Sequence, residues 1–194
     1  YQNHGGKLEL DAANSRTFEQ VGLVSGAVFS DLDGDGLPEL LLACEWGPVR
    51  VFKNQAGKFR DITADLGLAR YLGWWNSLAA GDVDGDGRMD IIAGNWGLNS
   101  SYYQPAPENP ISIYYGDFDG NSSIDLIEAC LDPATGRTVP RRDMMLMQTG
   151  LPTLRAQFPT HAAYSLADVR ALLGSHEAQA QTVRANTLAS MVFL

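Results

Sequence analysis

The sequence predicts a mainly β protein built from repeated hairpins, with a helical insertion near the C-terminus. An acidic loop with oxygen-bearing side chains on alternate residues occurs three times along the chain. Short apolar runs of strand length flank each copy of the loop, and after Pro140 the apolar residues follow helical spacing instead. The three loops therefore define both the predicted fold and the first candidate site.

Length and composition limit the possible classes of protein. With 194 residues and 45% hydrophobic content, the chain is long enough to bury a core in one or two domains. The net charge of −9 argues against a nucleic-acid partner, because such a partner requires a basic face. No apolar run approaches the roughly 18 residues of a membrane-spanning helix, so we expect no membrane span.

The first two acidic loops share one pattern. Loop 1 (residues 31–39) reads Asp-Leu-Asp-Gly-Asp-Gly-Leu-Pro-Glu, and loop 2 (residues 82–90) reads Asp-Val-Asp-Gly-Asp-Gly-Arg-Met-Asp. Hard divalent cations take about six to eight oxygens, and side chains at loop positions 1, 3 and 5 converge on one ion when the backbone curls. Glycine at positions 4 and 6 permits that curl, because glycine adopts positive φ at little cost. The pattern predicts a calcium site in each loop.

Loop 3 (residues 117–125) is a weaker copy and reads Asp-Phe-Asp-Gly-Asn-Ser-Ser-Ile-Asp. Asn121 replaces a carboxylate and Ser122 replaces the glycine at position 6, so we expect its ion to bind less tightly or to be absent. A solvated acidic turn would explain a single such loop, but three copies in phase argue against chance.

The flanking sequence distinguishes these loops from EF-hands. An EF-hand loop needs a glutamate at position 12 and a helix on each side. Position 12 is Leu42, Ala93 and Glu128 in the three copies, and strand-like runs precede and follow each loop. We therefore expect each loop to join two antiparallel strands, with the metal ion in place of a tight turn.

Three segments of the chain resemble the FG-GAP or VCBS repeats of integrin-α-like β-propellers. These are residues 26–36, residues 78–87 and residues 49–59, and the last of them resembles the outer strands of that family. The resemblance covers roughly residues 1–130 and implies a partial β-propeller of FG-GAP/VCBS blades with calcium-binding hairpin loops. It also implies a ligand set in each loop, formed by the residues at positions 1, 3, 5 and 9 and the carbonyl at position 7. These ligands are Asp31, Asp33, Asp35, Leu37 and Glu39; Asp82, Asp84, Asp86, Arg88 and Asp90; and Asp117, Asp119, Asn121, Ser123 and Asp125.

The loop spacing suits such blades, since the loops begin 51 and 35 residues apart. We expect blades with three calcium loops over residues 1–140, a helical insertion over 141–180 and the start of a further blade strand over 181–194. Three blades do not close a ring of about four to eight, so we expect a fragment or partial ring that can self-associate through its cut edges.

The expected helical insertion has several local signals. Ser165 and Asp168 resemble a capping box, and Gly174 is the expected end of the helix. Residues 144–147 supply apolar side chains for packing or, alternatively, for a substrate lid. Phe158-Pro-Thr160, followed by a helical stretch, resembles propeller regions of ASPIC/UnbV-associated proteins.

The tryptophans are the candidate ligand contacts outside the loops. Trp46, Trp74, Trp75 and Trp96 could receive sugar rings or an apolar anchor of a partner, but their regular recurrence favours packing between blades. If one of them is exposed, we expect Trp74 or Trp75, because consecutive strand residues face opposite ways. A surface role and a simple loop role are equally open for four further residues, which are Asn95, Asn99, Tyr102 and Tyr103.

The remaining reactive residues do not indicate catalysis. Cys44 and Cys130 lie in apolar strands, and we expect two buried free thiols. None of the three histidines adjoins a nucleophile or acid in a recognisable catalytic setting, so we expect no catalytic residue and no enzyme.

These observations predict a calcium-binding module for protein or glycan binding and adhesion, in which calcium is structural. Exposed sites of this kind fill where calcium is about millimolar. We therefore expect an exported protein, extracellular, periplasmic or in the cell envelope, whose leader is not part of this sequence. Two alternatives stay open, which are the propeller part of a polysaccharide-cleaving enzyme and a purely structural scaffold domain.

Overall fold

The computed structural model describes residues 1–102 and 105–194. Strands account for 38% of the structure and helices for 18%, so the predicted mainly β class is confirmed. The strands are β1 (Gln2–His4), β2 (Lys7–Glu9), β3 (Leu23–Ser30), β4 (Glu39–Gly47), β5 (Arg50–Gln55), β6 (Lys58–Asp61), β7 (Gly73–Trp74), β8 (Ser77–Gly81), β9 (Asp90–Gly94), β10 (Ile111–Gly116), β11 (Asp125–Asp132), β12 (Arg137–Pro140), β13 (Gln181–Ala185) and β14 (Met191–Phe193). The helices are α1 (Ala12–Phe18), α2 (Met144–Gly150), α3 (Leu154–Gln157), α4 (His161–Ser165) and α5 (Val169–Leu173), with 3-10 turns at Leu68–Arg70 and Gly174–His176.

All strand pairs in the sheets are antiparallel. One sheet has the order β3-β4-β5-β6, with β7 also paired to β4, and a second has the order β14-β9-β8. A third sheet has the order β12-β11-β10-β13, and β1 pairs with β2 in a separate hairpin. Each acidic loop connects two neighbouring strands of one of these three larger sheets.

The chain divides into two compact units. The second unit is Pro105–Asn186, and Thr187–Leu194 belong with the N-terminal part of the chain in the first unit. Loops 1 and 2 lie in the first unit and loop 3 lies in the second. The boundary expected at residue 140 falls inside the second unit, between β12 and α2.

Strand β4 forms the centre of the first unit. Its odd-numbered residues Leu41 and Ala43 join Val51, Trp75 and Ile91 in one buried cluster, which draws on both sheets of this unit. Its even-numbered residues face the other way and pack in a second cluster with Phe52. Alternate strand residues point to opposite faces, so this strand is buried on both sides and holds loop 1 on a rigid element.

In the second unit the helices pack on one face of β11. Ile127 and Ala129 of that strand contact a cluster of buried side chains from α2 to α5, including Met147. The expected packing role is confirmed for Met147, but Met145 and Leu146 are largely exposed, so for these two it was wrong. A helix only two turns long buries one face, and the neighbours of Met147 fall on the solvent side.

The capping of α5 differs from the sequence prediction in its details. Asp168 is the N-cap itself, and its Oδ1 accepts a hydrogen bond from the Ala171 N–H at 2.9 Å. The predicted box with Ser165 as the cap was wrong, because Ser165 ends α4. The predicted stop at Gly174 is confirmed, where φ is +52°.

The chain forms a helix before strand β3 that the sequence did not predict. Helix α1 is seven residues long and is capped by Asp11, whose Oδ1 accepts from the Asn14 N–H at 3.0 Å. Phe18 at its end packs on Phe52 and Phe59, with ring centroids 5.0 and 5.6 Å away. In the part of the chain that the structure describes, none of the helices has the length and apolar character needed to cross a membrane.

Candidate metal centre

The three acidic loops are hairpin connections, as predicted. Loop 1 joins β3 to β4, loop 2 joins β8 to β9, and loop 3 joins β10 to β11. In each hairpin the last paired residue is the carboxylate at position 9, and its partner is the residue directly before position 1. The strands therefore fix both ends of every loop, which an EF-hand would do with helices.

The aspartate at position 1 organises the backbone of each loop. Asp31, Asp82 and Asp117 each accept hydrogen bonds from the N–H groups of positions 4, 5 and 6 of their own loop. The donors and distances are Gly34 2.9, Asp35 3.1 and Gly36 2.9 Å; Gly85 2.7, Asp86 3.1 and Gly87 3.0 Å; and Gly120 2.8, Asn121 3.0 and Ser122 2.9 Å. Three N–H groups on one carboxylate curl the backbone around its side chain.

The curl requires positive φ at positions 4 and 6, as predicted from the glycines. In loop 1, Gly34 and Gly36 have φ of +75° and +83°, and loop 2 has nearly the same values. In loop 3, Gly120 has φ of +77°, and Ser122 adopts +66° although it carries a Cβ. Loop 3 therefore keeps the shape of the other two loops at the cost of backbone strain at Ser122.

The carboxylate at position 9 closes the base of each loop. Its oxygen accepts from the N–H of position 2, with distances of 2.9 Å for Glu39 to Leu32, 2.8 Å for Asp90 to Val83 and 2.8 Å for Asp125 to Phe118. Glu39 and Asp90 are almost fully buried. The longer glutamate at position 9 of loop 1 makes the same contact as the aspartates, so this departure from the pattern does not disturb the loop.

Each loop brings carboxylates from at least three of its predicted ligand positions together. The sets are Asp31, Asp33 and Glu39; Asp82, Asp84 and Asp86; and Asp117, Asp119 and Asp125, with one oxygen of each residue within 4.8 Å of the others in its set. Two oxygens at about 2.4 Å from one ion lie no more than about 4.8 Å apart. The carboxylate sets therefore fit a hard cation such as calcium in their chemistry and spacing.

The buried carboxylate of loop 1 already has a cationic neighbour. Oε2 of Glu39 accepts the Leu32 N–H, and Oε1 lies 3.1 Å from the ammonium of Lys53 on strand β5. A buried carboxylate oxygen needs a cation or a hydrogen-bond donor nearby to offset the lost hydration. Both oxygens belong to the residue at position 9, which is one of the predicted ligands.

The other predicted ligands have different surroundings. At position 5, Asp35 accepts from the Leu37 N–H at 2.8 Å, and Asp86 and Asn121 make the same contact to position 7. These bonds hold position 7 in place on the loop. The ligand role of the three carbonyls at position 7 stays a prediction, and these are Leu37, Arg88 and Ser123.

A lysine that the sequence pattern did not indicate reaches into loop 1 from a neighbouring strand. Lys53 of β5 places its ammonium 2.6 Å from Asp33 Oδ2, 2.6 Å from Asp35 Oδ2 and 3.1 Å from Glu39 Oε1. The hydrogen bonds to Asp33 and Asp35 raise the pKa of the Lys53 ammonium, and the Lys53 bond lowers the pKa of Asp35. Only the register between β4 and β5 could have revealed this lysine in the sequence.

Loop 2 has a different internal cation. Arg88 Nε donates to Asp86 Oδ2 at 2.7 Å, and this bond lowers the pKa of Asp86. The Arg88 side chain is about three-quarters exposed, so it lies at the rim of its loop. Solvent screening weakens such an exposed pair.

Three tryptophans form a column in the first unit. Trp74 stacks on Trp96 with centroids 4.4 Å apart and an interplanar angle of 22°, and Trp46 tilts against Trp74 at 5.3 Å. Trp75 faces the opposite way and is fully buried in the core. The most exposed ring is Trp96, at 46%, so the expectation that Trp74 or Trp75 would be the exposed one was wrong.

The stacked arrangement accounts for this result. Rings that lie face to face cover one another, so the column serves packing between strands as the regular recurrence of tryptophan indicated. Trp96 lies at the end of the column, and Tyr102 approaches it edge-on with centroids 6.5 Å apart. Tyr103, also considered as a surface residue, lies outside the described residues.

Asn95 has a structural role beneath this column. Its side-chain oxygen accepts the N–H groups of Trp74 at 2.9 Å and Trp96 at 2.8 Å, and its side-chain nitrogen donates to the carbonyls of Thr187 and Ala189. A buried amide with all these partners fixes the backbone of three segments. We therefore remove Asn95 from the candidate ligand contacts.

Both cysteines are free thiols, and they differ in exposure. Cys44 is buried, and burial raises the pKa of its thiol to about 11. Cys130 is only partly buried, so the expected burial was wrong for this residue. A thiol with a raised pKa is a poor nucleophile at neutral pH, which gives Cys44 a packing role.

Comparison with known proteins agrees with the loop geometry in part of the chain. A family model described as an FG-GAP-like repeat matches residues 31–93, which include loops 1 and 2 and the strands between them. The search of curated proteins found no match, and the search of solved structures also found none. The family match thus supports the FG-GAP repeat assignment for the segment that contains two of the three loops.

Proposed function

We propose that this chain is a calcium-stabilised β-propeller module of the FG-GAP and VCBS type, integrin-α-like, which binds a protein or glycan ligand outside the cytosol. The observation that carries the proposal is the convergence of three carboxylates in each of three hairpin loops. The FG-GAP-like match across the first two loops supports the same assignment. The ASPIC/UnbV-associated subtype is part of the proposal and rests on the resemblance at residues 158–160.

In this proposal calcium has a structural role. The residues that would hold it are the side chains at positions 1, 3, 5 and 9 and the carbonyl at position 7 of each loop. Bound calcium would neutralise carboxylates that otherwise repel one another and would link the two strands of each hairpin. The loops contain eleven of the 23 acidic residues, so three calcium ions would change the net charge from −9 to about −3.

The protein's own groups prepare the loops for the ion. The N–H groups of positions 4 to 6 hold the position-1 carboxylate in place, and the contact from position 9 to position 2 closes the loop base. Such preorganisation reduces the conformational entropy lost on binding. Loops 1 and 2 have glycine at both strained positions, so we expect less strain there than in loop 3.

The metal part of the proposal is tested by Asp84→Ala. Asp84 belongs to the converging set of loop 2, so the variant should bind one calcium ion fewer than the natural chain in isothermal titration calorimetry, while the other sites remain. Asp65→Ala is the matched control, because Asp65 is an exposed aspartate outside the loops and its removal changes the charge equally. Equal stoichiometry in the two variants would refute the assignment of Asp84.

The binding part of the proposal is tested by a screen of immobilised oligosaccharides and cell-surface proteins, with and without EDTA. We expect at least one ligand whose binding is lost in EDTA, because the loops shape the surface around them. Failure to bind across both classes would favour a purely structural scaffold.

A further inference from the structure

The inference concerns Lys53 and rests on the proposed calcium sites. The side chain of Lys53 is 17% exposed, and that of Glu39 is 2% exposed. A lysine side chain keeps most of its length covered only when its ammonium finds partners. Here the partners are three carboxylates, and all three are at predicted ligand positions of loop 1.

The sheet register directs Lys53 into the loop. Leu40 of β4 pairs with Phe52 of β5, so the next residues outward, Glu39 and Lys53, lie opposite each other. Directly opposite residues on antiparallel strands have side chains on the same face, about 5 Å apart. The contact is thus a consequence of strand pairing.

The ammonium and a metal ion would use the same carboxylates. Asp33 and Glu39 belong to the converging set of loop 1, and both are partners of Lys53. Calcium lies about 2.3–2.6 Å from its ligand oxygens, so an ammonium at 2.6–3.1 Å from the same groups would lie against a divalent cation. Like charges this close repel strongly, and both cannot remain in the loop.

The side chain at the corresponding position of loop 2 carries no charge. Strand β14 pairs with β9 on the side that β5 occupies beside β4, and Phe193 lies opposite Ile91. The residue beyond that pair, opposite Asp90, is Leu194. In loop 3 the neighbouring strand β12 ends at the pair of Ala129 with Pro140, before it reaches Asp125.

We propose that Lys53 is a built-in counter-cation of loop 1, and that calcium binds this loop only by displacing it. Loop 1 therefore keeps its hairpin without calcium, and its affinity for calcium is lower than that of loop 2. The predicted ligand residues of the two loops differ only at positions 7 and 9, and Arg88 of loop 2 is largely exposed, so we assign the difference to the lysine on the neighbouring strand. The first unit contains one loop that holds its shape in low calcium and one that depends on the ion.

The test is calcium titration calorimetry of calcium-free protein carrying Lys53→Met. Methionine keeps an apolar stem of similar length and removes the charge. We expect the affinity of one site to rise about tenfold or more, because calcium no longer displaces an ammonium from three carboxylates. Adding Asp33→Asn to this variant should abolish the tightened site, which assigns it to loop 1.

Lys58→Met is the matched control, since Lys58 is exposed on β6 and its loss changes the net charge equally. This control should leave every calcium affinity within about twofold of the natural chain. If calcium binds and the Lys53→Met variant behaves as the control does, the role of Lys53 is overturned while the proposed calcium sites stand. If none of these proteins binds calcium, both proposals fall together.

Discussion

Ser122 shows how closely a single residue can follow the geometry that its neighbours impose. It occupies position 6 of loop 3 with φ of +66°, where the other loops have glycine. The position-1 aspartate accepts its N–H at 2.9 Å, so the hydrogen bond and not the residue type selects the conformation. A residue with a Cβ loses about 1–2 kcal/mol in this region of φ and ψ.

Replacing this residue should therefore stabilise the protein. We expect Ser122→Gly to raise the free energy of unfolding by about 0.5–1 kcal/mol, since relief of strain exceeds the entropy lost by glycine. Urea denaturation of the variant and the natural chain measures the difference. Ser123→Gly is the control, because position 7 lacks positive φ, and there glycine should not stabilise the protein. An equal gain in the two variants, or a loss of stability in Ser122→Gly, would contradict the assigned strain.

At this scale the sequence predicted the repeated parts of the site but missed the part that depends on tertiary structure. The convergence of Asp31, Asp82 and Asp117 with their neighbours follows from spacing alone, because each loop is a local structure. Lys53 comes from another strand, and its contact depends on register, which the sequence does not specify. The exposure of Trp96 and burial of Trp75 likewise depend on which sheet faces each side chain.

At the scale of elements, the hairpins were predictable and the short helices less so. Apolar runs on both sides of each acidic loop determine antiparallel pairing, because a nine-residue loop leaves its strands adjacent. Helix α1 has seven residues and no buried side chain of its own, so it lacks the apolar stripe that predicts a helix. Its position depends on Phe18, which packs on side chains of two strands.

The cap of α5 offers a test at this scale. Asp168 accepts the Ala171 N–H, and Arg137 donates to it from Nη2 at 2.8 Å. The Ala171 bond, and then the Arg137 bond, hold the pKa of Asp168 below its usual range. A lowered pKa means that the ionised carboxylate stabilises the folded state above about pH 4, and that this contribution is lost as pH falls through the folded-state pKa.

We expect Asp168→Ala to lower the free energy of unfolding by about 1 kcal/mol at pH 7, the usual loss for a helix N-cap. The difference from the natural chain should shrink below about pH 4, because protonation weakens the same contacts in the natural chain. Urea denaturation at pH 7 and pH 3 measures both values. Asp168→Asn keeps a capping oxygen and should lose less stability. If the stability lost in Asp168→Ala did not depend on pH, the stabilising role of the ionised Asp168 carboxylate would be contradicted.

At the scale of the whole molecule, the negative charge is concentrated in the three hairpin loops. Almost half of the acidic residues lie in three short loops, so repulsion is concentrated at the hairpin turns. Lys53 offsets part of this charge in loop 1, and the exposed Arg88 offsets less of it in loop 2. We therefore expect a stability that depends on a divalent cation, with loop 2 contributing more to that dependence than loop 1.

The most direct test of this account is the melting temperature in millimolar calcium and in EDTA at equal ionic strength, followed by differential scanning calorimetry. A calcium site stabilises the folded state by about 2.7 kcal/mol when the free calcium concentration is about 100 times its dissociation constant. For a chain of this length we therefore predict a rise in melting temperature of about 5 °C or more in calcium. Equal melting temperatures in calcium and EDTA would contradict the claim that the acidic loops are calcium sites.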